Sequence, residues 1–172
     1  MLLTGYLLAA TAYVETTLIL FLHVLGAMAT MGGALGVLVL YLRARGASDA
    51  ENLRVTLRIM DMFNQRVLMP AAGLTGVIGF LLVLRYDMRG IFEFSRQGWL
   101  FVAIVLWIIL QGVAGQAVRA AHRALGPLES EGGLVAARAH LGSAGVAVPV
   151  WLTLILTVAI VYFMMFQPFV RS

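Results

Sequence analysis

The 172-residue chain has no cysteine and no lysine. Lack of cysteine removes disulfides, thiolate metal sites, iron–sulfur clusters and cysteine nucleophiles together. No aspartate or glutamate lies deep within any long apolar run. That argues against a proton- or sodium-coupled transporter built on a buried carboxylate. A glycine-rich phosphate loop, an HExxH zinc pattern and a GxSxG nucleophile elbow are also absent from the sequence. No motif therefore motivates an enzyme, and no catalytic residue is assigned.

Apolar length is what the chain has instead. Hydrophobic residues make up 62% of it, and its mean hydropathy is +0.96. An ordinary soluble domain carries an apolar share nearer 45–50%. Four apolar stretches lie at about 16–42, 68–85, 98–118 and 144–168. A helix rising about 1.5 Å per residue crosses a hydrocarbon layer of about 30 Å in about 20 residues. Unpaired backbone amides are too costly in lipid, so each stretch must be helical. The expected fold is all-α: a polytopic membrane protein with four transmembrane helices, forming one integral membrane domain over residues 1–172. Its first partner is the lipid bilayer.

The formal charge of +4 comes from arginine alone among the basic residues. Its placement points to membrane orientation, not to nucleic acid. The 43–66 connector carries Arg43, Arg45, Arg54, Arg58 and Arg66, and the 119–143 connector carries Arg119, Arg123 and Arg138. Arg85, Arg89, Arg96 and Arg171 fall on the other side. Positive residues gather on the cytoplasmic face, which places both termini outside the bacterial inner membrane. Residues 1–14 lack the basic opening of a signal peptide. They read as an outer-surface helix or as an extension of the first span, with Glu15 marking the membrane boundary. Within the first connector, Leu53, Leu57, Met60 and Phe63 recur about one turn apart. This predicts an amphipathic helix that lies along the inner leaflet or extends the second span. Gly126-Pro127 and Gly132-Gly133 are expected to break the third connector into turns.

Small residues mark the helix contacts, because lipid supplies no hydrophobic drive between helices. Gly32 and Gly36 form one small-xxx-small pair, and Gly26, Thr30 and Ala34 form a second ridge. Gly73, Gly76 and Gly79 lie on the second span, and Gly112 and Gly115 on the third. The same faces suit intramolecular packing, a homo-oligomer or a larger membrane complex.

His23 is the histidine well inside a span, and it shares a face with Gly26, Ala27, Thr30 and Ala34. It should point into the bundle, where an ionisable group is a functional candidate. It lies eight residues from Glu15, about 12 Å by helical rise. His122 and His140 belong to the opposite interface and cannot meet it within one protomer. Met164 and Met165 lie level with His23, and a His–Met set suits copper or haem. Gln111, Thr153 and Thr157 read as polar groups joining helices.

Three runs carry a resemblance: LHVLGAMATMGGALG, PAAGLTGVIGFLLVL and WLFVAIVLWIILQGVAGQAVRAAHRAL. Together they resemble an uncharacterised family of predicted bacterial four-helix integral membrane proteins. The look is shared with copper-resistance D-type proteins and with the four-helix membrane protoporphyrinogen oxidase. That resemblance implies a haem- or metal-serving histidine in span one, which maps to His23. The oxidase type also has a third-span lysine and further membrane histidines, and this chain has neither. The leading expectation is thus a non-enzymatic accessory or binding protein. A haem- or copper-linked redox protein using His23 with Met164 or Met165 is the alternative. A small-solute transporter is the third reading, with little beyond Gln111 and Thr153 to line a polar path.

Overall fold

A computed structural model of the chain describes residues 2–85, 94–129 and 133–166. The described residues are helical almost throughout: α1 (Leu2–Arg45), α2 (Ala50–Phe63), α3 (Met69–Arg85), α4 (Phe94–His122), α5 (Gly133–Gly142) and α6 (Ala144–Phe166). Four helical stretches are long and apolar enough to cross a membrane: Tyr13–Arg45, Ala50–Arg85, Gly98–Leu128 and Ala144–Phe166. The chain is an all-α protein with four spans, as its hydropathy requires. Arg89, Arg171 and residues 167–168 of the expected fourth span lie outside the described residues.

Helix α1 runs unbroken for 44 residues, about 66 Å at 1.5 Å per residue. Residues 2–14 are its first turns, not a separate surface helix. At this end the Glu15 carboxylate pairs with Arg85 of α3 at 2.7 Å. The chain then turns at Gly46–Asp49. The Asp49 carboxylate accepts a hydrogen bond from the Asn52 amide at 2.7 Å, which caps α2. Those hydrogen bonds, first from Asn52 and then from Ser48, hold the Asp49 carboxyl below its ordinary range.

Helix α2 buries Leu53, Leu57 and Met60, as its amphipathic spacing predicts, and Phe63 packs beside them. Of the two expected placements, it takes the extension of the second span. One π-type turn, Asn64–Leu68, joins it directly to α3, so the two make a single long rod. Pro70 follows at once. Its missing N–H is tolerated where the helical ladder is already interrupted.

The third connector departs from the expected run of turns. A 3-10 segment (Arg123–Glu129) leads to α5, which buries Ala137 and Leu141. Gly133 opens α5 against the backbone of Pro127 and Leu128, where no Cβ fits. A glycine that reads as a breaker is here a close-packing residue. α5 is tied in place by two bonds: the Tyr41 hydroxyl donates to Leu141 O at 2.9 Å, and His140 Nε2 donates to Ala120 O at 3.1 Å.

The packing divides into two helix pairs. α1 lies along α3, and α4 lies along α6, while α3 and α4 touch little. α2 and α5 wedge the pairs together at the end where both connectors lie. The contiguous core sits there, around Val37, Tyr41, Leu53, Met60, Leu141 and Val150. Toward the Glu15 end no such wedge exists among the described residues, and the pairs leave a void.

Candidate functional site

That void is a cavity of about 560 Å³ lined from all four spans. This lies within the range of small-molecule sites. His23 and Thr30 of α1 face Thr75, Gly76 and Gly79 of α3. Trp99, Ala103 and Trp107 enter from α4, and Thr157 and Met164 from α6. Most of the rest of the lining is aliphatic, and no acidic or basic residue other than His23 takes part.

His23 is 9% exposed. Its Nδ1 lies 3.0 Å from the backbone oxygen of Thr75. A carbonyl only accepts, so Nδ1 must carry the hydrogen. In the neutral ring Nε2 is then a bare lone pair, and it makes no hydrogen bond to a described residue. Gly79 permits this placement, since a Cβ there would lie 2.8 Å from His23 Cε1. One turn earlier, Gly76 gives its space to the Trp107 indole. The indole N–H donates to Ala72 O at 2.8 Å. Another turn back, Gly73 faces Gln111, whose Oε1 is buried with no hydrogen bond. Gly76 and Gly79 thus each admit one large side chain, while a Cβ at Gly73 would only touch Gln111 in ordinary contact.

The hydroxyls of the cavity bond within their own helices. Thr75 donates to Ala71 O at 2.6 Å, Thr30 to Gly26 O at 2.9 Å, and Thr157 to Thr153 O at 2.8 Å. Thr153 donates to Pro149 O at 2.8 Å. The threonines expected to join α6 to a neighbour therefore satisfy the backbone of α6 instead. Bonds that cross between helices come from His23, Trp107, Tyr41 and His140, with the Arg85–Glu15 pair and a long Thr30–Thr75 hydroxyl contact at 3.5 Å joining α1 to α3 as well.

The residues singled out in the sequence separate clearly. His23 and Met164 line the same cavity. Met165 does not; it is 72% exposed on the outside of α6. His122 is exposed at the far end, beside Arg119, Arg123 and Asp61. No group of three His, Cys, Asp or Glu among the described residues could hold a metal ion. Gly32 has open space around it, and it is Gly33 that meets Leu68 of the π turn. The ridge containing Gly26 packs as expected, against Thr75.

The cavity, the arginine-rich connectors and nearly all of the four spans fall within residues 17–168, which match a family model described as "Predicted integral membrane protein (DUF2269)". The chain belongs to the DUF2269 family. No curated protein and no solved structure matches this DUF2269 chain. The matched DUF2269 stretch begins six residues before His23 and takes in every residue of the cavity.

Proposed function

We propose that the chain is a non-enzymatic binding or accessory protein of the bacterial inner membrane, and that its ligand occupies the His23 cavity. One observation carries this: a void of about 560 Å³, almost wholly apolar, contains one imidazole fixed by a backbone carbonyl with its second nitrogen free. Such a lining suits a lipophilic ligand and offers little to a polar solute crossing the membrane. Ala103, 1% exposed and on the cavity wall, provides the test. Protein purified into nanodiscs should retain a small lipophilic molecule, detected by extraction and mass spectrometry. Ala103→Phe, which fills the void, should lose it. Identical extracts from both would overturn the reading.

A haem- or copper-linked redox role is the second reading. It is favoured by His23 and Met164 lining one cavity, and by an Nδ1–H held on a carbonyl, as in metal-bound histidines. His23 Nε2 and the Met164 thioether would hold the metal, which would supply one-electron transfer. A Soret band or bound copper lost in His23→Ala would favour this reading; a colourless, metal-free protein would favour the first.

The arginines of the first and third connectors support a cytoplasmic placement of α2 and α5, with both termini outside. Because the chain lacks cysteine, Ser48→Cys gives a single label, reactive from the cytoplasmic side alone under this orientation. Gly32 and Gly112, which face open space, offer close approach to a second copy in a homo-oligomer.

A further inference from the structure

Resting on the cavity being a ligand site, its hydrogen-bond polarity narrows the ligand. The Thr30, Thr75 and Thr157 hydroxyls each send their proton to a carbonyl of their own helix, so each presents only lone pairs to the void. The Trp107 N–H is taken by Ala72 O. His23 spends its one proton on Thr75 O, so Nε2 also presents a lone pair. The Thr30 and Thr75 oxygens lie 3.5 Å apart, so either hydroxyl can also donate to the other, and neither proton is directed into the void.

A carbonyl or ether oxygen brought to His23 would set acceptor against acceptor. An anion would fare worse, with no arginine in the lining and the His23 proton already given to Thr75 O. We infer that the cavity takes a lipophilic molecule bearing a hydroxyl, an alcohol or a phenol, whose O–H donates to Nε2 of His23. The hydroxyl then satisfies the lone pair that the protein leaves unpaired, and the apolar body fills the space between α3 and α4.

The test uses a pair of ligands that differ only in the donor: a long-chain 4-alkylphenol and its methyl ether. Both are titrated into the full-length protein in nanodiscs, with empty nanodiscs as the reference, and followed by fluorescence of Trp99 and Trp107. The phenol should saturate at about tenfold lower mole fraction than the ether, the effect of one hydrogen bond to a buried acceptor. His23→Phe should abolish the preference. If that variant does not fold, the two ligands on the wild-type protein still decide the matter. Equal saturation by phenol and ether would overturn the inference and leave the cavity as a ligand site. Saturation by neither, with Ala103→Phe unchanged from wild type, would overturn both. Haem or copper retained through His23 would also overturn the inference, because the metal would occupy Nε2.

Discussion

At the α5 end Tyr41, Leu53, Met60, Leu141 and Val146 are each no more than 1% exposed and belong to one interlocked cluster. At the Glu15 end the four spans leave a half-open void, with Leu20, Val77 and Phe80 at its exposed rim. The ends differ in composition, since the dense end includes the amphipathic α2, and they differ in the number of elements. The dense end has two extra elements, α2 and α5, inserted between the helix pairs. The open end has an ion pair joining α1 to α3, while α4 meets α3 sparsely, chiefly where Trp107 packs on Gly76 and donates to Ala72 O. In lipid, where apolar surface gains nothing by leaving the solvent, close fit has to come from shape. The connectors supply shape at one end, and its absence at the other creates room for a ligand.

The contrast is most easily broken by truncation. Leu53→Ala at the dense end should cost about 2–5 kcal/mol, since the neighbours cannot close the hole. Ile104→Ala, on the wall of the existing void, should cost clearly less; equal losses of thermal stability in detergent would refute the division. Insertion is the converse probe. Gly76→Ala drives a methyl into the Trp107 ring and should cost about 1–3 kcal/mol. Gly112→Ala, which meets nothing within 4 Å, should leave the unfolding midpoint nearly unchanged. A smaller effect comes from Tyr41→Phe, which removes one buried hydrogen bond to Leu141 O. It should cost about 1–2 kcal/mol, read as faster amide exchange across α5 with the cavity unaffected.

The smallest effect is a pH dependence at the start of α2. The Asp49 carboxyl titrates below its ordinary value because Asn52 and Ser48 donate to it. The capping contribution is therefore complete above the usual carboxylate range, and it fades as pH falls through the lowered value. Protection of the Asn52 amide, measured against its intrinsic exchange rate at each pH, should fall on acidification from about pH 6 to about pH 3, with the reference carboxylate value near 4. Asp49→Asn should flatten that dependence.

Hydropathy made the four spans legible, and a one-turn repeat of Leu53, Leu57, Met60 and Phe63 made the buried face of α2 legible. An imidazole cannot face lipid cheaply, so His23 was legible as an inward group. What stayed hidden was rotation. Met164 and Met165 differ by about 100° around α6, and apolar residues on every side give no phase by which to choose the one that lines the void. Gly32 and Gly33 pose the same problem on α1. Trp107 was hidden because its partner, Ala72 O, is a backbone atom that leaves no mark in sequence. α5 was hidden because Gly133 resembles a breaker until the chain it packs against is known.

The π turn at Asn64–Leu68 acts as a phase shifter in the second rod. Such a turn carries one residue more than regular winding needs. Without the surplus residue, everything beyond it would swing by about 100° about the rod's axis. Thr75, Gly76 and Gly79 would then face away from His23 and Trp107, while Leu53, Leu57 and Met60 kept their seats. The surplus residue lets one continuous rod serve the packed end and the hollow end at once.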